Sequence, residues 1–266
     1  FDVYVEPFLG AGAMFIWAYE KNPDAKFYLN DSNESVMNIY RVVRDNVDEL
    51  ISILDDYSAG FLPLDKEGRK AFYYRLREKH AYEYTDWTAT QEAAALYFLM
   101  KTGFNGIWQI NKNTNNRFGT PSGLLNQKDK VYDKVNVRDW NMALKYASLS
   151  SVDFGSTPAH ITDDTFVFLD PPYRGSFTQY GVDFDDKLQE SVIHHLNSLT
   201  ARGAHVMMSN RDVGDGFFEA RQGKNKIIYF DVTYTAGRRK KNSDGTHSAK
   251  KAREILMIGR HNGSQE

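Results

Sequence analysis

Short apolar runs bounded by turn residues open the chain. Val3-Tyr4-Val5 reads as a strand, and Glu6-Pro7-Phe8-Leu9-Gly10-Ala11-Gly12 turns out of it. Residues 14–19 are apolar and aromatic and predict a helix. Phe27-Tyr28-Leu29 predicts a second strand, closed by Asn30-Asp31. Ser32 suits the N-cap of a helix whose apolar face is Val36, Ile39, Tyr40 and Val43. Strand, glycine turn, helix, strand and acidic residue make the first half of a nucleotide-binding α/β unit.

From about Val47 to Tyr146 the pattern changes. Residues 48–56, 67–80 and 90–101 predict helices, with no alternation of strand and helix. Residues 103–127 form a polar stretch with six asparagines, four glycines and a proline. Loops this long inside a compact domain are usually functional. The α/β pattern returns with Phe166-Val167-Phe168-Leu169. Residues 186–199 predict a helix with Leu188, Val192, Ile193 and Leu196 on one side. Residues 205–208 predict a strand ending at Ser209-Asn210. Residues 227–234 and 254–258 predict a strand pair, joined by a basic hairpin loop. The fold class expected is α/β, a Rossmann-like sheet in two halves, 1–54 and 147–266, around an inserted, mainly helical subdomain, 55–146.

Composition narrows the functions. A 266-residue chain with 41% apolar and 26% charged residues is ordinary for a globular protein. With net charge −2, contact with nucleic acid must come from a local patch. The absence of cysteine excludes disulfides, thiolate metal sites and a cysteine nucleophile, and fits a reducing, cytoplasmic setting. No apolar run approaches membrane-spanning length, so no membrane partner is expected. His194 and His195 are adjacent and point apart on a helix, and no other metal-ligand spacing occurs, so no catalytic metal is expected.

Asp170-Pro171-Pro172-Tyr173 carries the chemistry. It sits at the carboxyl end of a buried strand, where open α/β sheets build their sites. Two prolines remove two N–H donors and fix φ, and each pushes its predecessor into extended geometry. The stiff turn presents a carboxylate, a carbonyl and an aromatic face. That trio suits an exocyclic amino group on a planar base: two acceptors for its hydrogens and a ring to stack on it.

Gly10 and Gly12 allow close approach of a ligand to the backbone. Asp31 follows Gly12 by 19 residues, a spacing that places a carboxylate near ribose hydroxyls. Phe15 stands where the dinucleotide fingerprint has its third glycine. A single nucleoside therefore fits better than a dinucleotide, and a dinucleotide-dependent oxidoreductase fits poorly.

These motifs, in this order, resemble the Dam-type DNA adenine-N6 methyltransferases. The middle fits too: Gly103-Phe104-Asn105-Gly106-Ile107 and Phe118-Gly119-Thr120-Pro121 resemble the family's target-recognition segment, and Ser209-Asn210-Arg211-Asp212 a short motif after its next strand. The resemblance spans nearly the whole chain. It implies S-adenosylmethionine as cofactor, held by Glu6, Pro7, Phe8, Gly10, Ala11, Gly12, Asp31, Asp153, Phe154 and Asp170. It implies catalysis by Asp170, Pro171, Pro172 and Tyr173 on an adenine flipped out of double-stranded DNA. It also implies a Gly-Lys segment upstream of the first strand that closes over the cofactor; Phe1 lies after the place for it.

DNA contacts are expected from Phe104, Asn105, Ile107, Gln109, Asn111, Lys112, Arg117 and Asn210. Gln109 stands where many relatives that read GATC carry arginine. Arginine prefers guanine edges and glutamine adenine, so the resemblance leaves the recognition sequence open, GATC included. Arg238, Arg239, Lys240 and Lys241 belong to the basic loop, 237–253, which has seven Lys/Arg against one Asp and suits phosphates. A monomer or weak dimer is expected. The turn's geometry serves cytosine N4 as well, although Asp at position 170 favours adenine. A DNA-binding relative that has lost turnover is a further alternative.

Overall fold

The computed structural model describes residues 1–175, 184–234, 240–241, 247–248 and 250–260. Its main sheet has seven strands: β1 (Val3–Glu6), β2 (Lys26–Asn30), β3 (Ser148–Ser150), β4 (Thr165–Leu169), β5 (His205–Asp212), β6 (Lys226–Tyr234) and β7 (Lys250–Ile258). The order across the sheet is β3-β2-β1-β4-β5-β7-β6. β2, β1, β4 and β5 run parallel, while β7 pairs antiparallel with both β5 and β6. This is the Rossmann-like α/β sheet expected, with an antiparallel edge.

Contacts divide the described residues into two compact units. One holds Phe1–Ser32 and most of the chain from Ser150 onward; the other is Asn33–Leu149. In the first unit, side-chain alternation splits β1 between two faces. Val3 and Val5 join Val167, Leu169, Val206 and Met208 beneath helix α7 (Asp186–Ala201), which buries Val192, Ile193, Leu196 and Leu199. Tyr4 faces the other way, among Phe27 and Phe166. Helix α1 (Ala13–Lys21) covers that side through Phe15, which meets Phe27 edge-on at 5.3 Å.

The second unit is helical: α2 (Glu34–Asp45), α3 (Val47–Phe61), α4 (Lys66–Tyr82), α5 (Ala89–Thr102) and α6 (Lys134–Leu144). α5 is its centre, with Ala93 to Leu96, Phe98 and Leu99 fully buried. A reciprocal cap between Thr88 and Gln91 starts it. No helix among the described residues is long and apolar enough to cross a membrane.

Four details depart from the sequence reading. Asn33, not Ser32, caps α2; its side chain accepts the Val36 amide at 3.3 Å. Met37 and Val42, not Val36 and Tyr40, are buried with Ile39 and Val43. β5 runs four residues past Met208, because β7 pairs with it as far as Asp212, and Asn210 and Asp212 then alternate inward like Val206 and Met208. Helix α6 was not expected; it buries Val137, Ala143 and Leu144 and starts at Asp133, whose side chain accepts the amides of Val135 and Asn136.

One buried side chain ties the glycine turn to the end of β2. Asn30, fully buried at the end of β2, donates to the carbonyls of Pro7 and Val152, both at 3.0 Å. Its oxygen accepts the Ser150 hydroxyl at 2.8 Å and the Val152 amide at 3.0 Å. Asn30→Leu strands four polar partners. Urea unfolding is expected to show a loss of roughly 2–4 kcal/mol; a loss under about 0.5 kcal/mol, the range of ordinary surface changes, would mean that the bonds are dispensable.

Candidate active site

β1 and β4 are neighbours, yet the chain leaves β1 toward β2 on one side and β4 toward β5 on the other. The strand order reverses between them. At such a switch point the loops diverge and open a crevice at the strands' carboxyl ends. Both sequence motifs leave the sheet there, the glycine turn from β1 and the Asp170 turn from β4.

The glycine turn is held from below. The Leu9 amide donates to the Asn30 carbonyl at 2.8 Å, and the Gly12 amide to the Leu9 carbonyl at 2.7 Å. Gly10 and Gly12 have φ of 47° and 69°, a region that L side chains avoid. A Cβ at Gly10 would meet nothing within 4 Å, so the backbone there faces open space. The Asp31 carboxylate accepts the Gly10 amide at 2.9 Å, which couples the end of β2 to this turn. Ala11 is exposed and Pro7 buried. Phe15 fills the position of the missing third glycine with a fully buried ring.

Phe8 and Phe154 stack on each other, centroids 5.1 Å apart. Phe154 also meets His195 edge-on. Asp153 is exposed and caps the following turn by accepting the Gly155 amide at 2.9 Å. Glu6 is 2% exposed and accepts the Tyr4 hydroxyl at 2.8 Å. Burial pushes its pKa up to about 8; the Tyr4 hydrogen bond opposes this, and the charges of Asp170 and Asp31 add to it. Three carboxyl groups thus share one neighbourhood.

Asp170 caps that neighbourhood. Its residue surface is exposed, but protein crowds the carboxyl itself. That desolvation raises its pKa, while hydrogen bonds from Ser209 and Tyr173 pull it down and Glu254 raises it further. The Ser209 hydroxyl donates to Asp170 Oδ1. The Tyr173 hydroxyl is itself pushed upward, first by burial and then by the Asp170 charge. Tyr173 is therefore half-buried, with its hydroxyl engaged on the carboxylate. Reading it only as a stacking face missed that contact. Among the described residues nothing donates to the Pro171 carbonyl, whereas Gln189 Nε2 donates to the Pro172 carbonyl at 2.7 Å.

Not every residue expected on DNA has a free side chain. Asn210 is fully buried, and its amide group bonds Gln189 and the backbone amides of Arg174 and Arg211. Arg117 pairs with Glu92 and lies over the Tyr84 ring at 3.5 Å. Beside it, burial and the Arg117 charge lower the His80 pKa to about 3. Asn210 and Arg117 thus each have partners within the protein.

In the second unit Phe104, Asn105 and Ile107 are exposed, and Asn105 takes a left-handed φ of 52°. Ile110–Asn111 pairs antiparallel with Arg117–Phe118, so the polar stretch contains a small hairpin. Tyr73 donates to the Thr120 carbonyl at 2.8 Å, Arg77 to the Gly119 carbonyl at 3.1 Å and Tyr82 to the Asn113 carbonyl at 2.9 Å, so α4 holds it. Lys112 is exposed, Gln109 half-buried, and Asn111 accepts the Asn113 amide at 2.8 Å. Arg238 and Arg239 lie outside the described residues. Lys240–Lys241 pairs with His247–Ser248 through the backbone, and its side chains are also outside them.

Sequence reasoning passed over Gln189, a polar residue on an apolar helix face, and the roles of Asn30 and Ser209. Only Ser209 and Asn30 stood in noticed motifs.

Comparison with known proteins adds a second line. The chain is 34% identical over 228 residues to the type II methyltransferase M.MjaIII of Methanocaldococcus jannaschii, covering 84% of this chain and 78% of that one. It is 28% identical over 221 residues to the type II methyltransferase M1.LlaDCHI of Lactococcus lactis, covering 79% and 72%. To a DNA adenine methylase of Vibrio cholerae it is 27% identical over 219 residues, covering 78% and 72%. Residues 1–215 match the family described as D12 class N6 adenine-specific DNA methyltransferase. That breadth decides for adenine over cytosine N4. A carboxylate turn and a glycine turn flanking one switch point, and a family match running through both, place this chain in the D12 class of N6 adenine-specific DNA methyltransferases.

Proposed function

We propose that the chain transfers a methyl group from S-adenosylmethionine to N6 of an adenine flipped out of double-stranded DNA, with Asp170 and the Pro171 carbonyl as the acceptors of its amino hydrogens. The observation that carries this reading is the turn after β4: a carboxyl fixed by Ser209 and Tyr173, next to a carbonyl with no described donor.

The residues fit the cofactor. It carries two positive centres, and the carboxyl groups of Asp31 and Asp170 lie near one another beside the buried Glu6. Gly10 leaves room for a ligand against the backbone, and the Asp31 carboxylate stands beside it for ribose hydroxyls. Glu6, Pro7, Phe8, Ala11, Gly12, Asp153 and Phe154 line the remainder in this reading. When bound, the cofactor supplies a methyl already activated on a sulfonium. The protein's task is the nucleophile. The N6 lone pair is delocalised into the ring. Accepting both hydrogens from fixed positions favours a pyramidal nitrogen, and the same acceptors stabilise the positive charge that develops on it. Holding the base in place supplies much of the rest. Tyr173 stacks on the base in this reading while its hydroxyl steadies Asp170.

The segment 55–146 serves target recognition, with Phe104, Asn105, Ile107, Gln109, Asn111 and Lys112 as its DNA-facing residues. The loop with Arg238, Arg239, Lys240 and Lys241 gives affinity without sequence information. The test of the reading is transfer of labelled methyl to defined duplexes, with the product base identified after digestion. N6-methyladenine is expected; N4-methylcytosine, or no product, overturns it.

Asp170 is the stronger acceptor, and stabilises developing positive charge, when ionised, so activity falls as pH drops through its raised pKa. Ser209→Ala removes a hydrogen bond that lowers that pKa. The acid limb of the rate profile is then expected to move to higher pH, and an unmoved limb would show that Ser209 does not tune the carboxylate. Asp31→Ala is expected to raise the dissociation constant for the demethylated cofactor by about 1.5–3 kcal/mol, the worth of a charge-assisted hydrogen bond. Calorimetry reads it, and unchanged affinity would confine Asp31 to bracing Gly10. Gln109→Arg is expected to shift preference toward guanine at one position of the target. Methylation of a randomised duplex library checks this; an unchanged preference removes Gln109 from the reading head.

A further inference from the structure

We propose that Gln189 and Asn210 are positioning residues that clamp the Asp170–Tyr173 turn through its backbone and thereby set the rate of transfer; the inference rests on the adenine-N6 reading of that turn. The two prolines have no N–H, so the turn cannot be fixed through amides at positions 171 and 172. It has to be held by a carbonyl or by an amide further along. Gln189 Nε2 donates to the Pro172 carbonyl at 2.7 Å, just before Tyr173. Asn210 Oδ1 accepts the Arg174 amide at 2.9 Å, just after it. Asn210 Nδ2 donates to Gln189 Oε1 at 2.9 Å and closes the bracket. Tyr173 is thus gripped on both sides by two side chains bonded to each other.

Core filling does not account for this pair. Gln189 is 1% exposed and Asn210 fully buried. Gln189 lies on the face of α7 that otherwise buries Val192, Ile193 and Leu196. A leucine there would fill space without the desolvation that a buried amide costs. The amides hold their places by satisfying each other and the turn. Asn210 takes a second amide, that of Arg211, at 2.8 Å, which locks its oxygen toward the chain.

Downstream, Arg174 is anchored as firmly. Its guanidinium bonds Asp186 and Asp215, both at 2.7 Å, and lies 4.0 Å over the Phe217 ring. The strand before the turn and the arginine after it are fixed points, and Gln189 and Asn210 set the path between them. That path orients the Pro171 carbonyl and the Tyr173 hydroxyl on Asp170. A shift of about 1 Å in such groups can cost a hundredfold in rate.

The experiment measures steady-state methyl transfer to a target duplex with labelled S-adenosylmethionine, for the parent, Gln189→Met and Asn210→Asp. Methionine is close to glutamine in size and removes both amide bonds. Aspartate keeps the oxygen that accepts the Arg174 and Arg211 amides but cannot donate to Gln189. For each variant kcat is expected to fall at least 30-fold, with KM for duplex and for cofactor within threefold of the parent. If Gln189→Met does not fold, Asn210→Asp carries the same readout. A kcat within threefold of the parent overturns the clamp. So does a raised KM for duplex at unchanged kcat, which would return Asn210 to DNA contact. A parent that methylates no adenine overturns the reading of the site, and the proposal with it; an active parent matched by Gln189→Met overturns the clamp alone.

Discussion

Parallel strands end before the chain leaves the interior, and the backbone groups stranded there need partners. The first unit meets this constraint with buried side-chain amides. Asn30 closes the end of β2 by bonding Pro7, Ser150 and Val152 at once. Asn210, near the end of β5, does the same for Arg174 and Arg211 and reaches Gln189. An amide suits the position because it offers donors and an acceptor without charge. Each asparagine thereby fixes one wall of the crevice: the glycine turn on one side and the carboxylate turn on the other.

Electrostatics follow from the same placement. Glu6, Asp31 and Asp170 are brought near one another by strand ends that the sheet forces together. Burial is the main cause of the rise in the Glu6 pKa, and the neighbouring charges of Asp170 and Asp31 add to it. A ligand bearing positive charge relieves the repulsion. At Asp170 the opposing effects are finer: desolvation raises its pKa, while Ser209 and Tyr173 hold the ionised form. When ionised, a carboxylate in so crowded a place is a strong acceptor where positive charge is to appear.

Much of this architecture was legible in the chain. The strands Val3–Glu6, Lys26–Asn30 and Thr165–Leu169 announced themselves by apolar runs with sharp turns after them. The Asp170 and Gly10 turns were legible because proline and glycine restrict the backbone locally. What stayed hidden depends on partners distant in sequence. Gln189 looks like any polar helix residue until Pro172 and Asn210 are seen beside it. Arg117 in a polar stretch reads the same whether solvated or stacked on Tyr84. Ser209 to Asp212 resembles a loop by composition, and only pairing with β7 makes it strand.

The most direct measurement is a structure of the protein with the demethylated cofactor and a duplex carrying its target adenine. The account predicts the adenine out of the stack, with N6 about 2.7–3.2 Å from both an Asp170 carboxylate oxygen and the Pro171 carbonyl. It also predicts the Gln189 bond to the Pro172 carbonyl intact. An adenine whose N6 is held by other groups, with Asp170 turned away from it, would contradict the account.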